Sequence, residues 1–423
     1  MSSINKKKYN IILFQGGLGD DEGNGFTETI NLLHQNYLSK TIKIDEAIGM
    51  KNFNVDNNSF YGLDANGYLS KSTSYTTKFN KSISDIVFKA KENANKVLLV
   101  RTALGESIDR IKEGALKYLG YDSILDQAKK LKYIIQAIKN CDEEIEIALV
   151  GHSQGGLVNL EVATQIPTLI SKMISISTPY SPVNLAQKLI NVNALAKIFG
   201  TDLYEAIKQD KELAKKYKQR VDTLGTSDYF NDVKSRWNKL SNRPSLTVIS
   251  SVSGHLFKVI PGFSDPYSGV YNPDSIYKYP FDGLVSIDEQ TNIEHATKIG
   301  LTDRALKCYN SKQYMKRNCY YQCGSYMTCK RSCCLPSFNL ESAVLITGFQ
   351  ALGDLVDSWI NGEKFDFKLE NYPILKDIVN GFSNQPISDP NNAQYYDVYK
   401  SNYSHGNVIR CDETIAYIAG TFF

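Results

Sequence analysis

Short, continuous apolar runs recur along the chain, each followed by a glycine, a polar cluster or a segment with helical spacing. Residues 9–14, 96–103, 145–150, 173–177 and 246–251 are rich in apolar side chains, which stand at consecutive positions over Ile11–Phe14, Val97–Val100 and Ile147–Val150. That is the mark of strands buried on both faces. Between them Ile124, Ala128, Leu131, Ile135 and Ile138 recur at helical spacing. Helices are expected over 107–118, 124–138, 155–165 and 229–240, with a last one over 413–421. Strands alternating with helices predict an α/β fold, a mostly parallel sheet with helices on both faces. Residues 52–80, rich in Asn, Ser, Thr, Tyr and Gly, read as irregular or hairpin-like surface structure.

Charge narrows the functional class. The 423 residues hold 48 Lys+Arg against 45 Asp+Glu, a net charge of +3, without the strong basic excess that phosphate neutralisation asks for. Nucleic acid is therefore not an expected partner. Lys6, Lys7 and Lys8 precede an apolar run of only Ile11 to Phe14, too short for the core of a secretory signal. The longest apolar stretch, 343–360, is broken by Gln350, Asp354 and Asp357, short of the ~20 residues a spanning helix needs. A soluble or peripheral protein is expected.

Chemistry concentrates where the third strand meets its helix. Gly151-His152-Ser153-Gln154-Gly155 is a G-x-S-x-G between an apolar run and a helix. A nucleophilic serine must sit on a strained strand-to-helix turn, where only small residues two positions before and after it avoid clashes. Gly151 and Gly155 meet that demand, and Gly156 adds a second small residue. The turn aims Ser153 at the start of the helix, where backbone N–H groups favour developing negative charge. A second glycine-rich loop, Gln15-Gly16-Gly17, follows the first strand.

With Gly156 included, the motif resembles the α/β-hydrolase superfamily, and within it the lipase and phospholipase branch. The resemblance spans residues 9 to about 285 and the tail after 403. It implies an α/β-hydrolase fold and a triad in the chain order Ser, acid, His. In lipases the first strand ends in His-Gly-x, whose third residue offers an oxyanion N–H. Here Gln15 replaces that His, and Gly17 with Gln154 would supply the two donors, Leu18 being the alternative to Gly17. Phe281-Asp282-Gly283-Leu284-Val285 looks like the D-G-x-V segment that carries the lipase acid, which points to Asp282. Of five histidines, His34 and His255 precede the acid and His152 lies inside the elbow. That leaves His405, followed by a terminal helix, with His295 as the alternative base.

Six of the eight cysteines fall within 27 positions. Cys319 and Cys323 lie one helical turn apart, as do Cys329 and Cys333, so a helical hairpin pairing Cys319 with Cys333 and Cys323 with Cys329 is one reading. Free thiols and a four-thiolate zinc site are the others. Disulfides would imply an oxidising destination, at odds with the absent signal.

The organisation expected is a hydrolase core over 1–179, 244–290 and 401–423. A helical cap or lid spans 180–243, and a cysteine-rich, partly helical insertion 291–400. The expected function is a serine carboxyl-ester hydrolase acting on acyl lipids, of lipase or phospholipase A type, in transient contact with a lipid surface. No metal or organic cofactor is called for. An acyltransferase or thioesterase on the same triad, or a non-catalytic binding protein of the same fold, are the rival expectations.

Overall fold

The structure is a computed structural model that describes residues 9–17, 23–50, 52–63, 69–105, 123–183, 223–224, 227–252, 254–256, 279–282, 285–302, 403 and 405–423. Its strands are β1 (Tyr9–Gln15), β2 (Thr41–Lys43), β3 (Ile48–Gly49), β4 (Phe53–Asn54), β5 (Ser59–Leu63), β6 (Leu69–Lys71), β7 (Val97–Ala103), β8 (Ile145–His152), β9 (Lys172–Ile176), β10 (Ser245–Val252), β11 (Gly254–Leu256), β12 (Tyr279–Phe281) and β13 (Ala296–Thr302). The helices are α1 (Thr27–Asn36), α2 (Thr73–Glu92), α3 (Ile124–Cys141), α4 (Gln154–Gln165), α5 (Ser227–Lys239), α6 (Ile287–Thr291) and α7 (Asp412–Phe422). The expected helix over 107–118, residues 184–222 of the expected lid, the 340–360 segment and Cys319, Cys323, Cys329 and Cys333 lie outside the described residues.

Eight strands form the main sheet in the order β13-β10-β9-β8-β1-β7-β2, with β3 also pairing β7. Every pairing in it is parallel. The reason is visible in β1. Ile11 and Leu13 enter one apolar cluster and Ile12 and Phe14 the other, because successive strand residues point to opposite faces. A strand apolar at every position is stable only with helices on both sides. One face is covered by α2, α3, α4 and α5, the other by α1 and α7.

The chain leaves β1 for one side of the sheet, building β2, β3 and β7, then crosses to the other side for β8, β9, β10 and β13. Strand order thus reverses between β1 and β8. Open parallel sheets place their ligand crevice beyond the carboxyl ends of the strands at such a point. Both glycine-rich loops found in the sequence emerge there.

Three elements differ from expectation. Residues 52–80 do hold a small antiparallel sheet, β4-β5-β6, but from Thr73 they enter the twenty-residue α2, capped by Ser72 Oγ on the Tyr75 N–H. β13 falls inside the range expected as insertion, yet pairs β10 from Leu246↔Ala296 to Val252↔Thr302. α5, expected above the sheet, buries Phe230, Val233 and Trp237 in the larger core cluster. Trp237 is fully buried and its indole N–H donates to Glu294 O at 3.0 Å. Trp237→Ala should therefore lower unfolding free energy by about 3–5 kcal/mol, read from the shift in urea midpoint. Among the described residues no helix is long and apolar enough to cross a membrane.

Candidate active site

At the carboxyl end of β8 the chain turns sharply into α4. Ser153 adopts φ 52 and ψ −126 at the N-cap of the helix, a conformation that costs a non-glycine residue roughly 1–3 kcal/mol. The surroundings hold it there. Its N–H donates to Ile176 O at 2.9 Å, and its carbonyl accepts the Gly156 N–H at 3.1 Å. The flanking glycines leave no room for a side chain: a Cβ on Gly151 would sit 2.6 Å from the Gly155 carbonyl carbon, and one on Gly155 2.3 Å from Gln15 O. Gly156 is as constrained, since a Cβ there would fall 1.9 Å from Thr178 Oγ1. Gly156→Ala should cost about 1–3 kcal/mol by overpacking. Adding Thr178→Ala should recover part of that loss in thermal melts.

The first glycine-rich loop passes directly over the serine. A Cβ on Gly17 would lie 3.0 Å from Ser153 Cβ and 3.5 Å from Ser153 Oγ. Gln154 is the first residue of α4, so its backbone amide faces the same crevice end of the helix. Gln15 itself stays out of the site. It is 1% exposed, its side-chain amide has no hydrogen-bond partner among the described residues, and alternation along β1 sends it to the α4 side with Ile11 and Leu13. What this position contributes is backbone. Leu18 lies outside the described residues.

Asp282 follows β12 and is fully buried. One carboxylate oxygen, Oδ1, accepts the Val285 N–H at 2.8 Å, while Oδ2 lies 2.7 Å from His405 Nδ1. A carboxylate oxygen only accepts here, so Nδ1 carries the proton. That tautomer leaves the lone pair on Nε2. Backbone bonds reinforce the pair: the His405 N–H donates to Asp282 O at 2.7 Å, and the Asp282 N–H to Val285 O at 3.1 Å.

The elbow meets this pair through His152. Its Nε2 lies 2.7 Å from His405 O, and the two imidazoles are 4.7 Å apart between centroids, tilted by 47°. Burial, and then the neighbouring His405, push the His152 pKa down to about 3, so the ring is neutral across ordinary working pH.

Sequence reasoning missed Gln290. This buried side chain in α6 donates from Nε2 to Ser251 O at 3.1 Å and to Val285 O at 2.9 Å, and accepts the Ser251 N–H at 2.8 Å. It joins the acid turn to the end of β10. No local pattern marks such a residue, because its partners are backbone groups from two other segments.

Two of the remaining histidines, His34 and His295, sit elsewhere, while His255 stands in β11 opposite Pro280 of β12. His295, the alternative base, is exposed and precedes β13 with φ 55. That is the amino end of a parallel strand, the opposite edge of the sheet from the elbow. His34 lies on α1 against Thr41 Oγ1 at 3.1 Å. Among the described residues no cluster of His, Cys, Asp or Glu could hold a metal ion, and Cys141 and Cys411 are free thiols.

A parallel sheet that reverses strand order at its centre, with a strained serine elbow leading into a helix beside a buried His–Asp pair, defines an α/β-hydrolase fold, and the chain has it. Residues 113–254, which contain the elbow but neither Asp282 nor His405, match the model of the PGAP1-like alpha/beta domain. Among solved structures the chain is similar to a lipase of Bacillus licheniformis in its mature form, at 15% identity over 71% of this chain and 86% of that one, with a TM-score of 0.34. It is similar to a phospholipase of Legionella pneumophila at 13% identity and a TM-score of 0.35, covering 67% of this chain and 45% of that one. A putative lipase of Acinetobacter baumannii aligns at 14% identity over 70% of this chain and 77% of its own, with a TM-score of 0.30. No curated protein matches the chain.

Proposed function

We propose that the protein is a serine carboxyl-ester hydrolase acting on acyl lipids, with Ser153 as nucleophile, His405 as general base and acid, and Asp282 as its partner. The Gly17 and Gln154 amides are the oxyanion donors in this reading. The observation that carries it is the buried Asp282–His405 pair, tied by a hydrogen bond to the residue that precedes the strained serine. A structural His–Asp pair has no need of a neighbouring serine held at φ 52.

The chemistry follows from where the protons sit. Ser153 gives its hydroxyl proton to His405 Nε2 as Oγ attacks the ester carbonyl carbon. Charge moves to the carbonyl oxygen, where backbone N–H groups stabilise it. The ester C–O bond then breaks, and the imidazolium returns its proton to the departing alcohol. Water, deprotonated by the same nitrogen, attacks the acyl-serine, releasing the fatty acid and restoring the Ser153 hydroxyl. Asp282 accepts a hydrogen bond from Nδ1–H throughout without taking the proton, fixing the tautomer and stabilising the imidazolium.

Product analysis by mass spectrometry on a mixed phospholipid and triacylglycerol emulsion tests the reading, with Ser153→Ala as control. Ser153-dependent lysophospholipid would define a phospholipase A, and fatty acid from triacylglycerol alone a neutral lipase. Acyl transfer to an added alcohol without hydrolysis, or no acyl chemistry at all, would overturn the reading.

A further inference from the structure

The residue before the nucleophile does more than fill a turn. His405 reaches the site from a segment that follows residues 303–402 and is anchored just beyond by Val408 and Ile409 in the core. Its own backbone is held from both sides. The N–H donates to Asp282 O at 2.7 Å, and the C=O lies 2.7 Å from His152 Nε2. A carbonyl oxygen can only accept, so His152 carries its proton on Nε2 and donates. The ring is fixed in turn. Its other nitrogen, Nδ1, lies 3.4 Å from where a Cβ on Gly17 would be. Phe26 packs edge-on to the imidazole, with centroids 6.5 Å apart and planes at 85°.

We propose that His152 is a positioning residue: its Nε2–H grips the His405 carbonyl and sets the distance between general base and nucleophile. The inference rests on the triad reading above, and adds to it a residue that acts through the backbone carbonyl of His405. Its effect is geometric. Ser153 is covalently the next residue, so whatever holds His152 to His405 also fixes the serine against the base. A displacement near 1 Å at such a site can lower turnover about 10²-fold. Substrate affinity, set by other surfaces, should be left alone.

The test is a pair of side chains of matched length, one with a donor at the same reach and one without. His152→Gln places an amide N–H near the position of Nε2, whereas His152→Met fills similar volume with no donor. With a soluble short-chain ester as probe, kcat of His152→Gln should stay within about threefold of wild type, and that of His152→Met should fall about 10²-fold with KM within twofold. Low-field proton NMR gives a second readout, the resonance of the His405 Nδ1 proton shared with Asp282. It should persist in His152→Gln and broaden or vanish in His152→Met. Should the Met variant fail to fold, the Gln variant still decides, since loss of its turnover in a folded protein overturns the proposal. Equal kcat in Met and wild type also overturns it, as does a loss confined to KM. Ser153→Ala, run in parallel, separates the two levels. Hydrolysis surviving that change defeats the triad reading, while Ser153-dependent turnover that is indifferent to residue 152 defeats only the positioning role.

Discussion

Ser153→Ala should lower kcat for ester hydrolysis by on the order of 10⁶-fold, the scale seen when a triad nucleophile is removed and only oxyanion and binding effects remain. It should also abolish covalent labelling by a fluorophosphonate. The fold should survive with its stability little changed, because Ser153 occupies a strained conformation at φ 52 that serves chemistry rather than packing. Alanine carries a Cβ like serine, so the strain itself stays. What disappears is the hydroxyl below Gly17. Intact mass after inhibitor treatment, with melting temperature on the same samples, checks both halves.

The second large effect belongs to Asp282→Asn, expected to cut kcat about 10⁴-fold while leaving a folded protein. The reason is a count of acceptors. Asp282 receives the Val285 N–H on Oδ1 and the His405 Nδ1–H on Oδ2. Asparagine offers one oxygen and one NH₂ group. With the oxygen towards Val285, the NH₂ faces His405 Nδ1 and forces the imidazole proton to Nε2, where it cannot accept from serine. With the amide flipped, NH₂ opposes the Val285 N–H, and a buried donor loses its partner at about 1–3 kcal/mol. The first orientation disables the base; the flipped one keeps its tautomer but withdraws the negative charge that stabilises the imidazolium. Steady-state kinetics alongside urea denaturation will distinguish the two, since only the flipped form carries the stability loss.

The sequence was most legible where burial was most complete. β1, β7, β8, β9 and β10 each lie inside the sheet, and their apolar runs leave no other reading. The elbow was legible for a related reason, because its steric limits are local and glycine is the only residue that meets them. Legibility fell at the margins. β13 is an edge strand whose Thr297, Lys298 and Gly300 are exposed, so its pattern is no stronger than that of a loop. α2 opens on Thr73-Ser74-Tyr75-Thr76-Thr77 and buries only Phe79, Ile83, Ile86, Val87 and Ala90. Its polar first turns hid it among the surface residues before it. In the candidate site, Ser153 was read from a motif with its own mechanics, Asp282 from the likeness of its segment to the one that carries the lipase acid, and His405 from chain order. Gln290 and the grip of His152 could not be found that way. Both act on backbone groups supplied by distant segments, and a carbonyl leaves no trace in the identity of its residue.

The position of β1 has a consequence for how the chain is made. It leaves the ribosome before either of its partners, β7 and β8, yet it lies in the middle of the sheet, with Ile12 paired to Leu99 on one side and Ala148 on the other. Until both neighbours have been synthesised, its unbroken apolar run has nowhere to be buried, and no hairpin within the sheet can shelter it in the meantime. Parallel pairings of this separation form late and slowly, and exposed strand-forming segments are where nascent chains aggregate. Yield during expression should therefore respond to the pace of translation between β1 and β8, and to chaperones that bind extended apolar peptides, more than to any change at the active site.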